Sequence, residues 1–289
     1  MVFVAALLTA IPSFVRDGLA APALKADRID IRYVEPKSSE HQPVYRMVKE
    51  GKALESIREI LRPLKLPRRL LLQTAGCDGE SNAWYDGRDV TVCYEFLDEF
   101  WKNVADKDAP AGIAPIDTLI GPVADTFFHE VGHAVFDILR IPVLGREEDA
   151  ADQFSTFLML RFEKQEARRL IMGSAYQYKN DIAAPVVTMP RRKFANEHGM
   201  PAQRFYNLLC VAYGADPKLF GDLVEKDFLP KERAEGCEDE FKQVAYAMQT
   251  LIDPFIDRNL ARKGHKRWLP PVTTRPKPWR AHPEKMMRP

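Results

Sequence analysis

Thr126-Phe127-Phe128-His129-Glu130-Val131-Gly132-His133-Ala134-Val135-Phe136 is the stretch on which the reading of this chain turns. In a helix the two histidines of the H-E-x-x-H pattern fall one turn apart on one face, where both imidazoles reach a single ion and Glu130 points into the same cleft. Phe127, Phe128, Val131, Ala134, Val135 and Ile138 make the segment apolar on nearly all sides, which predicts a helix at the centre of a domain. Two histidines and a glutamate are costly there without a partner, and a zinc ion supplies one.

An ion that activates water needs a third protein ligand and an open fourth position. Arg146-Glu147-Glu148-Asp149-Ala150-Ala151-Asp152-Gln153-Phe154 opens the next helical stretch, with acid where a helix N-terminus favours it. Glu148 is the preferred ligand. Of the three consecutive acids it alone has a carboxylate, Asp152, at i+4, able to accept a hydrogen bond from the far nitrogen of a ligating histidine. Asp149 is the alternative, as an aspartate ligand. The connection Ile141-Pro142-Val143-Leu144-Gly145 is short, and its proline and glycine suit a turn.

H-E-x-x-H followed by E-x-x-x-D on the next helix resembles the gluzincin class of zinc peptidases, which includes thermolysin, although the connection between the motifs is shorter here. More narrowly, the run from His129 to Leu160 is similar to a bacterial metallopeptidase family classed as a domain of unknown function. Cys77, Asn82-Ala83-Trp84-Tyr85, Cys93-Tyr94-Glu95 and Gln203-Arg204-Phe205-Tyr206-Asn207 with Cys210 share the likeness, which runs from about Ile29 to Gly214. The resemblance implies an α+β, zincin-like metallopeptidase fold, mostly helical, with a small mixed sheet and the H-E-x-x-H helix at its centre. It implies hydrolysis of a peptide or protein by zinc on His129, His133 and Glu148, with Glu130 as general base. By the same likeness Asn82 and Ala83 lie on an edge strand that pairs with the substrate backbone. Negative charge on the substrate oxygen calls for a His or Tyr donor, for which the candidates are His198, Tyr206 and Tyr178, in that order.

The pattern along the chain agrees with α+β. Ile29, Ile31 and Tyr33 alternate with Asp30 and Arg32 as a half-buried strand, and Leu70 to Gln73 reads as a second. Asn82 to Tyr85 and Val90 to Tyr94 form a hairpin around Asp86-Gly87-Arg88. Helical spacing covers Val44 to Leu61, Glu95 to Val104, Pro122 to Leu139, Glu147 to Met172 and Pro201 to Tyr213. A long terminal helix, broken near Pro254, spans Glu232 to Lys263. Between Gly173 and Gly199 the periodicity weakens, as in a surface excursion that can cover a cleft.

Length and composition, 289 residues and 46% hydrophobic, suit one enzyme-sized domain over residues 24–263. Forty-two basic against 41 acidic side chains argue against a nucleic-acid-binding body. The apolar stretch Val2 to Val15, before Ala21-Pro22-Ala23, reads as a signal peptide over 1–23. It lacks the usual basic start and is too short to span a bilayer, so no transmembrane span follows cleavage. Four cysteines, Cys77, Cys93, Cys210 and Cys237, fall into two local pairs without metal-site spacing and point to disulfides in a periplasmic or secreted protein. Three connectivities are possible, and Cys77 and Cys93 flank the hairpin. Residues 264–289 hold six prolines, seven basic residues and one acid, as in a disordered tail. The competing expectation is a catalytically inactive, zinc-stabilised binding or regulatory module of the cell envelope. A third, cleavage of a non-peptide amide, would use the same residues.

Overall fold

The computed structural model of the chain describes residues 23–105, 112–178 and 195–263. The leader expected over 1–23, but for its last residue, and the tail over 264–289 lie outside them, as does most of the excursion after Gly173.

Four strands form one mixed sheet: β1 (Ile29–Tyr33), β2 (Leu70–Ala75), β3 (Ala83–Tyr85) and β4 (Asp89–Cys93), in the order β1-β2-β4-β3. The pairs β1/β2 and β2/β4 are parallel, whereas β3 runs antiparallel to β4 along an edge. A parallel pair needs a crossover, and here α1 (Gln42–Glu50) and α2 (Ala53–Leu61) supply it. Leu70, Leu72 and Thr74 alternate as the buried face of β2, while Val90 to Cys93 are all buried because β4 lies inside the sheet. At the hairpin turn Gly87 takes φ +85 and the Asp86 carboxylate accepts the backbone N–H groups of Arg88 and Asp89. The expected helix from Val44 to Leu61 is divided at Gly51-Lys52, where Lys52 turns left-handed.

After the sheet come α3 (Tyr94–Lys102), α4 (Asp117–Leu139), α5 (Glu147–Met159), α6 (Lys164–Tyr176), α7 (Pro201–Ala215), α8 (Asp222–Glu225), α9 (Lys231–Ala234), α10 (Cys237–Leu251) and α11 (Arg258–Lys263). The axis of the molecule is α4, which touches α3, β3 and β4 as well as α5 and α6. Its Phe127, Phe128, Val131 and Val135 are at most 1% exposed, and burial of each such side chain is worth roughly 1.5–3 kcal/mol. The helix starts five residues before the expected Pro122. Proline costs an interior hydrogen bond, but tertiary packing outweighs that loss at this point. A Cβ on Gly121 would lie 2.4 Å from the Ser174 nitrogen, and one on Gly173 would lie 2.0 Å from the Asp117 oxygen, so α4 and α6 cross backbone to backbone. In the first turn Asp117 is anchored by Arg169 at 2.7 Å.

That crossing also explains a second correction. Glu147 to Met172 is not one helix, because the chain turns at Leu160–Glu163, without any proline or glycine, to bring α6 back across α4. The terminal stretch breaks at Pro254 as expected, between α10 and α11, and breaks a second time between α9 and α10. Two disulfides close the fold, Cys77 to Cys93 and Cys210 to Cys237, with Cα separations of 5.6 and 5.0 Å. The first ties the loop before β3 to the end of β4, and the second ties α7 to α10. No helix among the described residues is long and apolar enough to cross a membrane.

Candidate metal centre

Helix α4 carries His129 and His133, and α5 carries Glu147, Glu148 and Asp152. What brings the two helices together is Gly132, inside the H-E-x-x-H motif. A Cβ there would stand 3.2 Å from Ala151 Cα and 3.3 Å from Phe154 Cδ1, so α5 rests directly on the α4 backbone. The connection is short enough to deliver Glu148 to the histidines: Arg140 ends α4 at φ +53, Gly145 turns at φ +98, and Leu144 between them is fully solvent-exposed.

His129 Nε2, His133 Nε2 and Glu148 Oε2 form a triangle with edges of 3.2, 3.1 and 3.6 Å. An ion bound tetrahedrally at about 2.0–2.1 Å needs ligand atoms about 3.3–3.4 Å apart, so the triangle has the right size. This group is one that can hold a metal ion. Both imidazoles are held from behind. His129 Nδ1 lies 2.8 Å from Asp152 Oδ1, and His133 Nδ1 lies 2.8 Å from Glu147 Oε1. Each carboxylate fixes the tautomer that leaves Nε2 free to ligate. Asp152 is held in turn by the Arg204 guanidinium, whose Nε and Nη2 donate at 2.8 and 2.6 Å. Asp149, the alternative ligand, pairs instead with Arg146 at 2.8 Å.

Charge at the centre fits a cation. Burial works against the His129 imidazolium, yet its hydrogen bonds with Asp152 and Glu148 outweigh this and raise its pKa to about 9. His133 is raised as well, against burial, by Glu148 and Glu147. Burial pushes the Glu148 carboxyl up, but His129, His133 and His198 hold it far below the usual carboxylate range. Asp152, also opposed by burial, is held at about 2 by His129 and Arg204. A pocket that favours positive charge on its imidazoles and negative charge on its carboxylates is stabilised by a dication, which displaces the protons. Beside it Glu130 is 7% exposed, and burial raises its pKa.

The centre opens on a cleft of about 430 Å³ that His129, Glu130, Asn82, Ala83, Tyr178 and His198 help to line. Asn82 accepts the Cys93 N–H through its carbonyl, and Ala83 begins edge strand β3 beside α4. His198 stacks on His129 with ring centroids 5.6 Å apart, and its Nε2 lies 2.8 Å from Glu148 Oε2. Tyr206 is placed differently: it packs on Phe205 and lines a neighbouring pocket with Arg146, Asp149 and Arg233. Several contributors escaped sequence reasoning. Glu147 was one of three adjacent acids with nothing to mark it, and Arg204 acts across 52 positions. Phe96, Glu99 and Phe100 of α3, with Asn103 just past its end, also line the cleft, and their helical spacing was the available signal. Asp125 sits one turn before His129 and accepts hydrogen bonds from Ser155, at 2.5 Å, and Ser174, joining α4, α5 and α6.

Fold and centre together define a mixed α+β protein with a His-His-Glu group suited to a metal ion. The chain belongs to the family described as "putative metallopeptidase", whose model matches residues 33–252. No curated protein and no solved structure matches it.

Proposed function

We propose that the chain is a zinc-dependent peptidase of gluzincin type, a zincin-like domain over residues 24–263 that hydrolyses peptide bonds with Glu130 as general base. The observation that carries this reading is the convergence of His129, His133 and Glu148 into one ligand triangle beside the buried Glu130, on an open cleft. His129, His133 and Glu148 would hold the zinc ion, which when bound would supply a Lewis acid able to lower the pKa of water and polarise a scissile carbonyl. Glu130, its proton affinity raised by burial, takes the proton of the attacking water and passes it to the leaving amine. Asp152 and Glu147 hold the ligand imidazoles in orientation. An extended peptide adds to the outer edge of β3, where Asn82 and Ala83 line the cleft. His198, which lines the cleft, donates to the substrate oxygen. The disulfides support a periplasmic or secreted location.

Glu130→Gln should keep metal and fold while cleavage of a denatured protein mixture falls by about 10²–10⁴-fold. Undiminished cleavage would remove the base assignment. His133→Ala should lose the metal itself. A second reading, the inactive zinc-stabilised module, draws on the 2.8 Å approach of His198 to Glu148. X-ray absorption on the metal-loaded protein separates the two: three histidine ligands plus a carboxylate favour the module, two favour the peptidase.

A further inference from the structure

A second charged concavity lies away from the metal cleft. The cleft is at the end of β4 where Ala83 pairs with Val92, whereas the opposite end, around Asp89, borders a hollow of about 840 Å³. Five arginines line it, Arg32, Arg58, Arg68, Arg69 and Arg88, against two aspartates, Asp30 and Asp89. In a chain with a net charge of +1 this is a strong local excess. Its charges are not equally available. Arg69 is paired with Asp30, and Arg68 donates to the Tyr85 hydroxyl at 2.6 Å and the Gly87 carbonyl at 2.8 Å. Among the described residues the side chains of Arg32, Arg58 and Arg88 make no hydrogen bond and no ion pair within 4.0 Å, although Arg58 lies near enough to Asp30 to help lower its pKa.

The hollow spans three adjacent strands, since Asp30 pairs with Leu71 and Leu71 with Asp89, and its arginines come from β1 (Arg32), from α2 (Arg58) and from the turn before β4 (Arg88). Strands stand about 4.8 Å apart, so positions on β1 and β4 are separated by roughly 10 Å. That spread favours a ligand with several anionic groups over a single ion. Guanidinium forks bind phosphate in bidentate fashion, and a phosphate group carries up to two negative charges where a carboxylate carries one. We propose that this hollow is a binding site for a polyphosphorylated ligand, one bearing two or more phosphate groups, held by Arg32, Arg58 and Arg88. It rests on no assumption about the chemistry at the metal centre.

The test is calorimetric titration of the full chain with tripolyphosphate, comparing wild type with the triple variant Arg32→Ser/Arg58→Ser/Arg88→Ser. Both proteins keep the metal centre, so any phosphate bound there cancels in the comparison. Loss of three charge-assisted contacts should weaken binding by about tenfold or more, and orthophosphate should bind wild type about tenfold more weakly than tripolyphosphate. Affinity should also fall with added salt. Arg88→Ser alone, in an exposed turn, gives a smaller loss and serves if the triple variant melts early. No saturable binding by wild type, equal binding by the triple variant, or orthophosphate binding as tightly as tripolyphosphate would overturn the proposal.

Discussion

Glu147 and Asp152 do the same job on different imidazoles but in different surroundings. The Glu147 side chain is 54% exposed, whereas Asp152 is 23% exposed and locked by the Arg204 fork. Removing a carboxylate behind a metal ligand typically weakens metal binding by about 10–100-fold. Glu147→Ala should therefore fall near the lower end and Asp152→Ala near the upper, as read by competition with a chromogenic chelator. Equal losses would show that the exposed carboxylate is as well ordered as the buried one. Asp125 allows a pH test with a definite sign. Burial raises its pKa above the unfolded value, against the opposing Ser155 and Ser174 hydrogen bonds. The native state thus holds the proton more tightly than the unfolded chain, and the stabilisation this gives is lost as pH rises through the folded pKa. Asparagine does not titrate, so the Tm of Asp125→Asn should gain on that of wild type as pH rises above the ordinary aspartate range. A gap that stays constant or closes would mean that the carboxylate is comfortable as an anion.

At the level of elements, the contact between α4 and α5 is where the local rule and the packing conflict. Alanine is a better helix former than glycine by about 1 kcal/mol. Yet a methyl at position 132 meets Ala151 Cα at 3.2 Å, and overpacking costs about 1–3 kcal/mol. Gly132→Ala should keep its helical circular dichroism while binding metal more weakly, because α5 must move and carries Glu148 with it. Unchanged affinity would show that α5 tolerates the shift. The same conflict marks what the sequence made legible. Motifs with a fixed local period could be read directly: His129, Glu130 and His133 on one helical face, Glu148 with Asp152 at i+4, and the strand-turn-strand around Gly87. The α+β class followed from them. The beginning of α4 before Pro122 and the turn at Leu160–Glu163 could not be read, since both are imposed by the glycine crossing of α4 and α6. In the sequence Arg204 stands out only through the likeness at Gln203 to Asn207, and its link to Asp152 depends on how α7 docks. Tyr206 shares α7 with Arg204 but lines a pocket next to the cleft.

Across the whole molecule the candidate metal ligands come from both sides of one exposed bend, His129 and His133 before Leu144 and Glu148 after it. Neither disulfide crosses that bend: Cys77 and Cys93 precede it, and Cys210 and Cys237 follow it. With Leu144 fully in solvent, a low dose of a broad-specificity protease should nick the chain there. The two pieces would share no covalent bond, so the free energy of holding the ion would become free energy of holding the halves together. Chelation should then make the nicked halves separate on dilution at a higher concentration than with metal present, as followed by size-exclusion chromatography. Identical dissociation with and without chelator would mean that the ion is not shared between them. The bend at Leu144 would thus make the chain a natural split reporter, in which reassembly of two fragments would measure occupancy of the centre.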